Sequence, residues 1–260
     1  MTNRANFGDM ERLRRPGRIA GESAMEKQRV REAVWRLLQE KKVSRFPGAY
    51  GRIPNFVGAE AAAARLRELD VWRRARVIKA NPDLPQRPVR RLALEQGKRL
   101  YMAVPRLRSM RPFTELDPLH LKATPFDASS IGGAARLGRP VRVEELPAID
   151  LIICGSVAVT MDGARLGKGG GYSDLEFGLL AEAGKITKRT TIVTTVHPFQ
   201  IVEDRFDMLP HDIPLDIIVT PDKILRIRRR YPRPRGIYWE LLTAEKLASV
   251  PILGALRGIK

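Results

Sequence analysis

Asp150-Leu-Ile-Ile-Cys154, then Gly163-Ala-Arg-Leu-Gly-Lys-Gly-Gly-Gly-Tyr-Ser-Asp174, then an apolar run to Ala183, is the stretch that decides the fold. Its first piece reads as a short strand apolar on both faces, the kind a sheet covered on two sides requires. Its last piece, from about Ser173 to Ala183, reads as a helix. Between them, glycine fills four of the five positions 167 to 171. Backbone without Cβ obstruction there can turn successive N–H groups toward one point, making a nest for an anion. The helix beginning near Ser173 adds about half a positive charge aimed at the same place. Arg165 and Lys168 flank the loop, and Asp174 in the first helical turn is placed to hold Mg²⁺ bridging phosphate oxygens. The loop matches neither GxxxxGK[ST] nor a GxGxxG after the first strand; its place between a strand and a helix leads to the expectation of a phosphate site of another type, a plain tight turn being the alternative.

Outward from this unit, the chain alternates short apolar strands with helices. Ser23 and Glu26 form a capping-box signature, and Val30, Ala33, Val34, Leu37 and Leu38 follow at helical spacing. A loop through Pro47, Gly48, Gly51 and Pro54 leads to a second helix, Ala59 to Arg74. Strands are expected at 76–80, 99–104, 150–154, 191–196 and 215–220, with a helix at 88–96 and an irregular Pro-rich stretch over 105–147. Five such strands separated by helices predict an α/β, three-layer domain, a mostly parallel sheet with helices on both faces. Residues 1–22 read as a flexible basic arm, 23–225 as the α/β domain, and 226–260 as a basic segment with an apolar tail.

With 260 residues and 29.3 kDa the chain is long enough to bury roughly 70 to 75% of its unfolded surface. Its 43% apolar content excludes wholesale disorder, and one cysteine, Cys154, excludes an internal disulfide or a thiolate zinc cluster. No run approaches the about 18 apolar residues of a membrane span, which leads to the expectation of a cytoplasmic protein. The net charge is +18, and it is unevenly spread: residues 112–225 hold 11 basic and 16 acidic side chains, while 226–260 hold 9 and 2. Of the 47 basic residues 35 are arginine, a side chain suited to gripping phosphate or carboxylate with two prongs. A polyanionic partner follows: a nucleic acid, a nucleotide with its metal, or a polyglutamylated or phosphorylated small molecule. A generally basic proteome would give the same total.

The segment Arg-Leu-Gly-x-Gly-x-Gly-Tyr-x-Asp at 165–174 resembles the ATP-binding signature of the 5-formyltetrahydrofolate cyclo-ligase (methenyltetrahydrofolate synthetase) family. Lys27-Gln-Arg-Val-Arg31 is similar to the Lys-x-x-Leu-Arg on that family's first helix; residues four apart share a helix face, about 5 to 6 Å between Cβ atoms. Gln200 and His211-Asp212 resemble its C-terminal features. The resemblance implies the three-layer cyclo-ligase fold and ATP-driven closure of 5-formyltetrahydrofolate to 5,10-methenyltetrahydrofolate. It implies ATP and Mg as cofactors and a reduced folate or similar small molecule as partner. Carried over residue by residue, it assigns ATP binding to Lys27, Arg31, Arg165, Gly167, Lys168, Gly169, Gly170, Gly171 and Tyr172. Lys168 and Tyr172 become the candidate catalytic side chains, and Asp174 with Asp212 the metal ligands, Asp216 being the alternative to Asp212.

Two features depart from the family pattern. Where the family continues Tyr-Asp-Arg after its first aromatic, this chain reads Ser173-Asp174-Leu175, so one aromatic wall and one cation are missing. No glutamate stands at the folate-contacting position before Gly97-Lys98, where Asp83 is the nearest substitute. The variant phrases look like the family's divergent branch, which includes the methenyltetrahydrofolate synthetase domain-containing proteins, and a non-classical paralogue with another substrate is the second reading. A third is RNA binding through the basic ends, with Tyr231 among the arginines of 226–235 available for stacking. His197 follows the 191–196 strand and could face the site, or be a packing residue. Trp35, Trp72, Trp239 and Cys154 read as packing groups.

Overall fold

The computed structural model describes residues 20–203, 206–228 and 230–258, so most of the expected basic arm lies outside the described residues. The chain opens with α1 (Ala20–Glu40), α2 (Ala59–Arg65), a 3-10 turn and α3 (Asp70–Arg74). Next come β1 (Val77–Ala80), α4 (Arg87–Glu95), β2 (Arg99–Ala103) and β3 (Phe113–Leu116). Two short helices follow, α5 (Pro125–Ala128) and α6 (Ile131–Leu137), then β4 (Arg139–Val141). The glycine-loop unit comprises β5 (Leu151–Cys154), the hairpin β6 (Ala158–Val159) and β7 (Arg165–Leu166), and α7 (Tyr172–Glu182). The rest is β8 (Thr191–Thr195), β9 (Ile217–Val219), β10 (Ile224–Arg226), α8 (Ala244–Ser249) and α9 (Pro251–Gly258).

The main sheet runs β10-β9-β8-β5-β1-β2-β3-β4. Its five central strands, β9 through β2, pair in parallel and are the five expected from the sequence. Three antiparallel strands extend it at the edges. Each had a weak signal: β3 and β4 lie in the Pro-rich stretch, β4 carries Pro140 at a sheet edge where a missing N–H is tolerated, and β10 merges into the arginine run.

Alternation along β5 builds the layers. Leu151 and Ile153 face a core shared with α2 and α4, whereas Ile152 and Cys154 face one shared with α7 and the C-terminal helices. A third cluster joins Val34 and Leu38 of α1 to the β6/β7 hairpin. Chain connections diverge at the centre: β1 crosses by α4 to β2 on one side, β5 by α7 to β8 on the other. A crevice therefore opens at the carboxyl ends of β1 and β5, where α/β sheets bind ligands.

Two local expectations are corrected. Helix α1 runs from Ala20, so Ser23 is an interior helical residue, buried and with no hydrogen-bond partner for its hydroxyl among the described residues, rather than the cap of a capping box. The second helix is broken at Leu69, whose backbone is extended (φ −88°, ψ 128°) so that its side chain enters the core; propensity gave way to burial. Among the described residues no helix is long and apolar enough to cross a membrane.

Cys154 is wholly buried, and desolvation pushes its thiol pKa up. The native protein should be inert to a disulfide reagent such as DTNB and release one equivalent once unfolded in urea. Rapid reaction of the native chain would show that the α7 face of the sheet is open.

Candidate functional site

The crevice is a cleft of about 660 Å³, lined by the glycine loop, the turns after β1 and β2, the start of α7, and α1. Two loop residues need glycine: Gly169 (φ 101°) and Gly171 (φ 66°) are left-handed, a conformation costly for side-chain-bearing residues. Gly171 is the N-cap of α7 and offers no side-chain cap. Among the described residues, no protein acceptor takes a hydrogen bond from the backbone N–H groups of 168–174. Seven consecutive residues lining the cleft, closing on the positive end of an eleven-residue helix, thus have N–H groups without a protein acceptor among the described residues.

Arg165 sets this shape. Strand β7 delivers its guanidinium beneath the loop, where it donates to the carbonyl of Gly155 (3.0 Å) and to Oδ1 of Asp174 (2.5 Å). A Cβ on residue 167 would lie 3.3 Å from the guanidinium, so the chain passes over it at glycine. Burial works against the Arg165 charge, but the charges of Asp174 and, more weakly, Asp212 outweigh it and raise the pKa. Asp174 also accepts from the N–H of Ile213 (3.1 Å), which brings the 209–213 turn and Asp212 to the same wall.

The other cations converge from separate elements. Lys27 of α1 pairs with Asp212 (2.6 Å), which also accepts from the N–H of Leu209 (2.8 Å). One turn on, Arg31 donates to the carbonyl of Gly167 (2.8 Å). Lys168 reaches over to Asp83 of the turn after β1 (3.0 Å). That turn is braced by Arg90 of α4, a buried guanidinium donating to the carbonyls of Asn81 (2.6 Å), Asp83 (2.9 Å) and Ser129 (2.8 Å). Burial pushes the Arg90 pKa down to about 9, still protonated at neutral pH.

Every residue assigned to the site by sequence lines this one cleft: Lys27, Arg31, Arg165, the loop 167–171, Tyr172, Asp174 and Asp212. Asp216 does not. It accepts from the N–H of Ile192 and pairs with Arg233 at the amino ends of the strands, the opposite side of the sheet. Gln200 is buried and bonds the carbonyls of Ser156 and Val157, a structural tie. His197 caps the turn that follows it through Nδ1, outside the cleft. Tyr231 donates to Asp162, which engages the hydroxyl of the residue considered for base stacking.

Sequence reasoning missed Lys79 and Glu176, an ion pair buried between β1 and α7, with Glu176 on the cleft wall and its pKa raised by burial. A lysine inside an apolar strand and a glutamate inside an apolar helix were the available signals. Arg106 was also missed; it lines the cleft from the turn after β2 with a left-handed backbone (φ 57°). So was Lys246 of α8, whose ammonium lies 2.9 Å from the carbonyl of Gly170 and 3.5 Å from the centre of the Tyr172 ring. A smaller apolar hollow of about 120 Å³ lies beside the cleft, between α7 and the C-terminal segment.

No group of three or more His, Cys, Asp or Glu side chains is gathered for a metal among the described residues. Mg²⁺ needs fewer, being held commonly by one or two carboxylates with phosphate oxygens and water. Asp174 and Asp212 are two carboxylates lining the cleft, paired with Arg165 and Lys27 respectively.

A model of the 5-formyltetrahydrofolate cyclo-ligase family matches residues 23–221. The chain belongs to this family. It is 36% identical over 240 residues to a methenyltetrahydrofolate synthase domain-containing protein of Mus musculus, covering 91% of this chain and 64% of the relative. The corresponding protein of Homo sapiens is 34% identical over 235 residues, covering 89% and 61%. The chain thus spans less than two thirds of these relatives. Among solved structures, Aquifex aeolicus 5,10-methenyltetrahydrofolate synthetase superposes with a TM-score of 0.49 at 20% identity, covering 85% of this chain and 99% of that one. The family match begins within α1 and ends before β10, so Lys246 lies beyond it.

Removing one member of a buried ion pair strands the other, at a cost of about 3–5 kcal/mol. Arg165→Met should lower the unfolding free energy by about that much in urea titrations, and Arg165→Met with Asp174→Asn should lose less than the two single changes added. A loss under about 1 kcal/mol for Arg165→Met would mean that the pair does not hold the loop.

Proposed function

We propose that the cleft binds Mg²⁺-ATP and a reduced folate and closes 5-formyltetrahydrofolate to 5,10-methenyltetrahydrofolate. The run of unpartnered N–H groups at 168–174, ringed by Lys27, Arg31 and Lys168, carries this reading, because a triphosphate supplies the acceptors and charge such a site lacks. The loop amides would take the terminal phosphates, and Tyr172 would wall the pocket. Lys27 and Arg31 would hold the phosphate chain from α1. Mg²⁺, held by Asp174 and Asp212, would offset phosphate charge. The folate would lie along the turns after β1 and β2, between Asp83 and Arg106.

In this reaction the formyl oxygen attacks the γ-phosphorus and ADP leaves. N10 then attacks the formyl carbon, a C–N bond forms, the N10 proton is lost and inorganic phosphate departs. Formamide oxygen is a poor leaving group, and phosphorylation makes it a good one. The site's work is alignment and charge stabilisation. Lys168 spans the loop and Asp83, the junction of the nucleotide and folate sides, and is the cation best placed to follow the transferring phosphoryl group.

One observation favours a second reading, a paralogue that binds nucleotide but acts on another substrate: the similar curated proteins are domain-containing relatives of the synthetase, of which this chain spans 61 to 64%. Absorbance detection of methenyltetrahydrofolate, formed from 5-formyltetrahydrofolate with Mg²⁺-ATP, separates the two. Turnover by the wild type that falls at least a hundredfold in Asp174→Asn is the expected result. No turnover in a chain that binds Mg²⁺-ATP by calorimetry would sink the folate reaction and favour the second reading.

A further inference from the structure

We propose that Lys246, carried on the C-terminal segment outside the family-matching region, is a phosphate-binding residue of the glycine-loop site. The proposal rests on the nucleotide reading above and extends it to a part of the chain with no assigned role. Three observations carry it.

The first is position. Lys246 lines the hollow that adjoins the cleft, and its ammonium reaches the carbonyl of Gly170 and sits over the Tyr172 ring, two residues that line the cleft itself.

The second is charge state. Lys27, Arg165 and Lys168 are each matched to a carboxylate, so a phosphate must compete with Asp212, Asp174 or Asp83 for them. The contacts recorded for Lys246 are a carbonyl and an aromatic face. An anion on the loop gains its attraction without breaking an existing ion pair.

The third is that the segment is held in place by other means. Val250, Ile252 and Leu253 are buried in the α7-side core. Residue 236 passes so close to α7 that a Cβ on Gly178 would lie 2.9 Å from its carbonyl oxygen. Lys246 is therefore not needed as the anchor, and the hollow beneath its segment leaves the side chain room to adjust. The fold thus brings a cation to the loop from 76 residues downstream.

The test measures binding of Mg²⁺-ATP, and of inorganic tripolyphosphate with Mg²⁺, to the full chain by calorimetry for wild type, Lys246→Met and Lys246→Arg. Met keeps the apolar stem and removes the charge, while Arg keeps the charge. For Lys246→Met both affinities should fall about tenfold, the size expected for one charge-assisted hydrogen bond. Lys246→Arg should stay within about threefold of wild type. The melting temperature and the rate of tryptic cleavage after residue 235 should not change in Lys246→Met, which separates lost charge from a released segment. Wild-type affinity in Lys246→Met, or equal weakening in Lys246→Arg, overturns the proposal while leaving the nucleotide site standing. A wild type that binds neither polyphosphate overturns the site reading, and this proposal with it.

Discussion

Arg165 and Asp174 stand on either side of the glycine loop, and the ion pair between them fixes both of the loop's ends. Without that closure, five residues containing four glycines would sample many backbone states, and the entropy of ordering them would fall on any ligand. With it, the order is established during folding. The loop can then leave its N–H groups bare, because its geometry is held by that pair and by side-chain donors to the carbonyls of Gly167 and Gly170. The same contact turns the first turn of α7 toward the cleft and, through Ile213, draws Asp212 alongside.

The surrounding charges follow a related arrangement. Four elements distant in sequence, α1, the turn after β1, the glycine loop and the turn before β9, each bring a charged residue to the cleft, and opposite charges meet there. Paired charges cost less to hold near a low-dielectric wall than isolated ones. An incoming polyanion exchanges one set of partners for another, so the cleft remains compatible with a stable fold while staying ready for phosphate. Beneath it, Lys79 with Glu176 and Arg90 with three carbonyls keep the floor and the β1 turn in position.

Legibility in the sequence divided along physical lines. The five parallel strands were readable because buried strands are continuously apolar, as in Leu151-Ile152-Ile153 and Ile217-Ile218-Val219, and the loop because its glycines have no other local use. The family resemblance gathered Lys27, Arg31, Asp174 and Asp212 into one site, and the fold places all four on one cleft. The edge strands escaped because three or four residues carry little period-2 signal, β4 also containing a proline and β10 running into arginines. Lys79, Glu176, Arg106 and Lys246 escaped because their importance lies in who their neighbours are. Lys79 and Glu176 are 97 residues apart, and no local pattern couples them. Asp216, the alternative to Asp212, lies only four residues further on in sequence yet at the amino ends of the strands, because the irregular segment 213–215 carries the chain there before β9 begins at Ile217.

The central claim is that the backbone of 168–174 is a polyphosphate cradle held open by the Arg165–Asp174 pair. A crystal structure of the full chain with Mg²⁺ and a non-hydrolysable ATP analogue tests it most directly. The account predicts terminal phosphate oxygens within hydrogen-bond distance of the loop amides, with the Arg165–Asp174 pair intact beneath them. A nucleotide bound elsewhere, or a loop whose N–H groups remain bare while phosphate is held by side chains alone, would contradict it.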